Sequence, residues 1–188
     1  QTPADSDVLK TFRKRYLGAL RQRSQGNAIV TDKMPHNFRM LGLISTALPE
    51  ARIIHVKRNP AAVCWSNYTH FFKNEFLSYC YSLDDIIHYY HLYLDLMSFW
   101  RQTLRNRIYV LDYDLLIEDQ EAETRKLVCH LKLNWEDACL SPHENKRSVA
   151  TASNVQVRNK VYQGSSERWK RYKPYLNGEL DHLSVCET

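Results

Sequence analysis

Between Arg52 and Phe72 the chain carries an extended run and a helical run joined by a short link. Arg52-Ile53-Ile54-His55-Val56 is rich in β-branched residues and reads as a strand. A helix is expected from Ala61 to about Phe72, with Pro60 in its first turn, where the missing N–H costs nothing. A strand feeding directly into a helix is the building unit of a parallel sheet, because parallel neighbours need a crossover that a helix supplies. This one junction therefore sets the expected fold class.

The flanking segments extend the pattern. Asp5 to Gln25 reads as an amphipathic helix, with Asp5 or Ser6 as cap, Leu9, Phe12, Tyr16 and Leu20 as its stripe, and Gly26 as its stop. Ala28-Ile29-Val30-Thr31 is expected to form a short buried strand. A helix follows from Pro35 to about Leu48, where Pro49 ends it. Asp84 to Leu104 predicts a long helix with Ile87, Tyr90, Leu94, Met97 and Trp100 facing inward. Arg107 to Leu111 predicts a third strand, Gln120 to Leu131 a further helix, and His143 to Gly164 an ordered loop before short final helices. Strands alternating with helices give an α/β chain with a parallel sheet flanked by helices on both faces.

Bulk properties narrow the classes. The 188 residues are 44% hydrophobic and 25% charged, which suits one globular domain and argues against disorder. No apolar window is long enough for a membrane span. Five cysteines, with no Cys-x-x-Cys pair, support neither a disulfide framework nor a zinc site, and a reducing cytoplasm is the expected compartment. The start of the chain has neither Met nor an apolar leader and reads as a cut end. A net charge of +5 suits an anionic ligand without demanding one.

In parallel sheets ligands bind beyond the carboxyl ends of the strands. That rule selects Asp32-Lys33, Arg58-Asn59 and Asp112-Tyr113. Arg58 presents a forked donor suited to phosphate, and the Ser66 hydroxyl, eight residues later on the helix, adds a further donor. By spacing alone, Arg58 reads more readily as a surface charge flanking a helix, and Ser66 as an ordinary helix serine. Both readings stand at this level.

The wider strings carry a resemblance. Ile53-Ile54-His55-Val56-Lys57-Arg58-Asn59-Pro60, continuing to Ser66, resembles the 3′-phosphate-binding motif of sulfotransferases that use 3′-phosphoadenosine 5′-phosphosulfate (PAPS). Asp32-Lys33-Met34-Pro35-His36-Asn37-Phe38-Arg39 resembles a segment of bacterial and tyrosylprotein-type members, and Val110 to Leu115 their strand ending in Tyr-Glu-x-Leu. Thr151 to Arg158, with Ser165-Ser166-Glu167-Arg168-Trp169, is similar to their adenosine- and phosphate-binding loop. The resemblance implies a sulfotransferase fold akin to that of P-loop NTPases, with residues 1–188 as a single partial domain.

What the resemblance implies about the site is specific. Arg58 and Ser66 would hold the 3′-phosphate, with Arg168 closing on it. Tyr113 and the loop carrying Ser153, Asn154, Gln156, Val157, Arg158 and Tyr162 would hold the adenosine. Lys33 would contact the transferring sulfuryl group, assisted by Ser153. His70 departs from the pattern, standing where some tyrosylprotein-type members carry a further Arg. The donor would leave as 3′,5′-adenosine bisphosphate, with no metal, and the acceptor would be a small-molecule or protein-tyrosine hydroxyl, or an amine.

One family feature is missing from these residues. The 5′-phosphosulfate is normally wrapped by a Gly-rich strand–loop–helix, a nest of backbone N–H groups. Here Gly18, Gly26, Gly42, Gly164 and Gly178 lie far apart. The fold is accordingly expected to be incomplete at its N-terminus, to catalyse poorly by itself, and to expose sheet edges that call for a partner, a second copy of the chain among the candidates. Two rivals stay open: a non-catalytic nucleotide- or protein-binding module derived from the family, and a P-loop kinase-like enzyme using ATP. His88 and His91 read as structural, the basic face of the first helix is not a nucleic-acid motif, and Cys64 and Cys129 read as core packing. The aromatic run from Phe71 to Tyr81 is the expected place for an acceptor pocket, and it reads equally as a lid or a dimer surface.

Overall fold

The computed structural model describes residues 6–73, 75–145 and 156–185. Six α-helices are formed among them: α1 (Ser6–Arg23), α2 (Leu41–Ala47), α3 (Pro60–Tyr68), α4 (Leu83–Leu104), α5 (Tyr113–Glu118) and α6 (Gln120–His130). Strands β1 (Ile53–Lys57) and β2 (Ile108–Asp112) pair as a small parallel sheet. After α6 the described residues form short 3-10 turns, chiefly Arg168–Tyr175 and Asp181–Val185. The chain divides into two compact units, residues 1–53 with 93–108, and residues 54–92 with 109–188.

In the first unit Leu41, Ile53 and Met97 are buried together, with Phe38, Ile44, Tyr93, Trp100, Leu104 and Ile108 packed against them. The carbonyls at the end of α2 lack helical partners and are met by arginines from elsewhere. Arg13 donates to the Ala47 carbonyl at 2.8 Å, and Arg107 donates to the Ser45 and Pro49 carbonyls at 2.9 and 3.1 Å. Arg13 also pairs with Glu50, which holds that carboxyl below its ordinary range. Gly26, at φ +84°, turns the chain after α1 in a conformation that disfavours a side chain.

Two expectations fail in this unit. No strand forms at 28–31: Ile29 is 62% exposed and Val30 36%, so the segment is neither paired nor buried. Strand preference is a preference for a neighbour, and no described strand lies alongside to take its backbone groups. The helix expected from Pro35 to Leu48 is instead a 3-10 turn, Pro35–Met40, followed by α2. The Trp100 indole N–H donates to the Phe38 carbonyl at 2.8 Å, engaging the acceptor that a continuous α-helix would offer to Gly42.

That same indole explains Gly42. A Cβ at this position would lie 2.8 Å from Cη2 of Trp100, inside van der Waals contact. Gly42→Ala should therefore destabilise the protein by about 1–3 kcal/mol, the usual cost of overpacking, although Ala is the better helix former. Chemical denaturation reads this directly. A rise in stability would refute the close approach.

In the second unit the buried side chains come from α3 (Ala61, Ala62, Cys64), from Cys80, from the start of α4 (Ile86, Tyr90), from Leu111 of β2, and from Trp169, Leu176, Leu180 and Leu183. The final 3-10 turns pack on α3, where Tyr172 lies over Trp65 with ring centroids 4.6 Å apart. On α4 it is Ile86 rather than Ile87 that is buried, together with Tyr90 and Met97. Ile54, Val56 and Val110 of the sheet are exposed, so the two-sided cover expected of a parallel sheet is incomplete. Cys64 is buried as expected, and burial followed by the nearby Cys80 pushes its thiol up to about 12. Cys129 is exposed, because it falls on the outer side of α6. The aromatic run is open, with Phe71 and Phe76 exposed and Tyr79 stacked on Tyr89 at 4.2 Å. No helix among the described residues is long and apolar enough to cross a membrane.

Candidate functional site

The second unit gathers a polar cluster where both strands hand over to helices. Asn59 precedes Pro60, the first residue of α3, and its side-chain oxygen accepts from the Ala62 N–H at 2.9 Å. This is an ordinary N-cap, and it fixes how the chain leaves β1. Asp112 performs the same task after β2, accepting from the N–H groups of Asp114 and Leu115 at 2.9 and 3.2 Å. Asp112 also pairs with Lys57 at 3.2 Å, so each junction stiffens the other. The cap creates α5, a helix absent from the expected elements. Its signal was present in the sequence: an aspartate directly after a strand, with two leucines following within one turn.

Asp114 then ties the junctions together. One carboxylate oxygen accepts from the Asn59 backbone N–H at 2.7 Å, and the other accepts from the Ser166 hydroxyl. Ser166 is 6% exposed and accepts in turn from Arg58 Nε at 2.9 Å. Arg58 lies over the Tyr113 ring, its guanidinium carbon 5.2 Å from the centroid. Among the described residues no carboxylate pairs directly with the Arg58 guanidinium. A half-buried, charged fork is thus held at the end of β1 from behind and from below.

Two further buried polar atoms lie in the same stretch of chain. Ser165 Oγ and Trp169 Nε1 have no hydrogen-bond partner among the described residues. Both lie within three residues of Ser166, the residue that accepts from Arg58. No group of three or more His, Cys, Asp or Glu among the described residues is arranged to hold a metal ion.

The expected site residues fall out as follows. Arg58 and Tyr113 are brought together. Ser66 is exposed on α3, and the side chain of Arg58 donates to Ser166. Arg168 and Tyr162 are exposed, as is Val157, while Arg158 donates to the Asn145 carbonyl. Gln156 opens a 3-10 turn, Gln156–Arg158, and Ser153 and Asn154 lie outside the described residues. Lys33, in the first unit, is exposed in the extended segment before Pro35. Its neighbour Asp32 accepts from the Tyr16 hydroxyl at 2.7 Å, and burial together with that bond pushes the Tyr16 phenol up to about 12. His36 is lowered by partial burial and by Arg39. Asp114 and Ser166 fall inside the segments that carry the resemblance, but the sequence assigns neither an individual role. Ser166 sits 108 residues from Arg58, and no local pattern announces a partner at that range.

Comparison with known proteins shows the family. The profile of the family described as "Sulfotransferase family" matches residues 4–137, which include both strand–helix junctions. A protein of Aquifex aeolicus (strain VF5), described as uncharacterized, is 36% identical over 181 residues. The alignment covers 95% of this chain and 24% of that protein, so the chain spans about a quarter of its relative's length. The chain belongs to the sulfotransferase family.

Proposed function

We propose that the chain binds the 3′-phosphoadenosine end of PAPS and serves transfer of its sulfuryl group to a hydroxyl or amine acceptor. The observation that supports this most is Arg58. It stands at the carboxyl end of a parallel strand, on the threshold of a capped helix, backed by Ser166 and Tyr113, with no carboxylate paired to it directly among the described residues. A guanidinium so held can offer two parallel donors to a phosphate. In this reading Ser66 and Arg168 add contacts to the 3′-phosphate, and Tyr113, Asn154, Gln156, Val157, Arg158 and Tyr162 line the adenosine.

Sulfuryl transfer forms a bond from acceptor oxygen to sulfur as the bond to the 5′-phosphate oxygen breaks. Negative charge grows on that leaving oxygen, by analogy with phosphoryl transfer. An ammonium such as Lys33 stabilises it, with the Ser153 hydroxyl as a second donor. The partners are thus a nucleotide sulfate donor and an alcohol, phenol or amine. A non-catalytic binding module is the second reading, favoured by the wide spacing of the five glycines, which leaves these residues without a Gly-rich phosphate loop.

Calorimetric titration with 3′,5′-adenosine bisphosphate, 5′-AMP and ATP tests the proposal. The bisphosphate should bind at least about tenfold tighter than either competitor, a difference of about 1.4 kcal/mol. A preference for ATP would replace the proposal with a kinase-like reading. Sulfate transfer from labelled PAPS to a phenolic acceptor, followed in a single turnover, then separates an enzyme from a module.

A further inference from the structure

We propose that Ser166 and Asp114 are positioning residues that aim the Arg58 guanidinium and keep its charge available, and that they thereby set the preference for a 3′-phosphate. The proposal rests on the donor-site reading above and adds to it a reason why the arginine is competent.

The hydrogen-bond directions carry the argument. A serine hydroxyl has one proton and two acceptor sites. Asp114 is a carboxylate and only accepts, so the Ser166 proton must point to it. The Ser166 lone pairs then face Arg58, whose Nε–H can only donate, at 2.9 Å. Asp114 itself is held by the Asn59 N–H at 2.7 Å, and that backbone is fixed by the α3 cap. Every link has one permitted direction, so the guanidinium plane is set by the turn that begins α3.

The spacing of charge matters as much. A carboxylate bonded directly to Arg58 would occupy the fork and cancel the charge that an incoming phosphate needs. Here the neutral Ser166 hydroxyl stands between the two. It transmits orientation from Asp114 while keeping the carboxylate off the guanidinium. Arg58 bonds the hydroxyl through Nε, while the Tyr113 ring lies against the guanidinium face. The outer edge, Nη1 and Nη2, is left for the ligand.

The test compares affinities for 3′,5′-adenosine bisphosphate and 5′-AMP, which differ only in the 3′-phosphate, across wild type, Arg58→Ala, Ser166→Ala, Ser166→Thr and Asp114→Asn. Ser166→Ala removes the intervening hydroxyl. Asp114→Asn keeps the shape but turns one acceptor into a donor, which must face either the Asn59 N–H or the Ser166 hydroxyl. Both should lower the bisphosphate preference by about tenfold, the worth of one charge-assisted bond, with 5′-AMP affinity changed less than about twofold. Ser166→Thr keeps the hydroxyl and should restore most of the preference. A folded Ser166→Ala or Asp114→Asn protein that keeps the wild-type preference, while Arg58→Ala loses it, overturns the positioning role alone. A wild type that does not distinguish the two nucleotides overturns the donor-site reading and this proposal together. Equal loss of affinity for both nucleotides would show a structural role only.

Discussion

Arg58→Ala should reduce affinity for 3′,5′-adenosine bisphosphate by about 10²-fold and leave affinity for 5′-AMP within about twofold. Each hydrogen bond to a charged group contributes about 1.5–3 kcal/mol, and every 1.4 kcal/mol is tenfold in affinity, so losing a bidentate grip reaches this size. The loss should concentrate on the 3′-phosphate because Arg58 sits at the end of β1, ahead of the α3 cap, with its Nε already engaged by Ser166. Arg58→Lys should recover only part of the affinity, since an ammonium keeps the charge but not the planar fork. Calorimetry with both nucleotides at two salt concentrations checks the assignment. An Arg58→Ala protein that still prefers the bisphosphate would remove the anion site from this end of the sheet.

The second large effect concerns Trp169. Its side chain is 4% exposed and lies in the 3-10 segment Arg168–Tyr175, which packs on α3. Trp169→Ala should cost about 3–5 kcal/mol, the usual range for emptying a buried aromatic site. Trp169→Phe should behave very differently. The indole N–H is buried without a hydrogen-bond partner among the described residues, and an unpaired buried donor costs about 1–3 kcal/mol. Phenylalanine removes that donor while keeping most of the ring, so its net cost should stay under about 1.5 kcal/mol. Urea unfolding midpoints at constant slope measure both. A Phe variant as damaged as the Ala variant would mean that the N–H has a partner after all. Because Trp169 lies three residues after Ser166, the Ala variant should also weaken the support of Arg58.

How far the sequence was readable follows from the range of each interaction. The junction at 52–60 was legible because its causes are local: a β-branched run, an asparagine that caps, and a proline at the first helical position. The long helix was legible from its period, and α4 begins and ends within a residue of expectation. The strand at 28–31 was misread because four apolar or β-branched residues do not specify a strand without a neighbour. The break at Met40 depends on the Trp100 indole, 62 residues away, and nothing near Phe38 announces it. In the candidate site, Arg58 and Tyr113 were legible from position at strand ends. Ser166, the residue that accepts from Arg58, was not legible as its support, because only tertiary folding brings it alongside. Asp114 was overlooked for a related reason: it follows the capping aspartate, and its two bonds reach outside its own helix.

The two buried thiols have a practical consequence. Cys64 and Cys80 are 0% and 1% exposed, whereas Cys129 is open to solvent. A membrane-permeant or soluble alkylating reagent should therefore tag Cys129 at once, while the inner sulfurs wait for α3 to lift. Read peptide by peptide, the delay between Cys129 and the pair Cys64 and Cys80 becomes a stopwatch for local opening, running inside the chain.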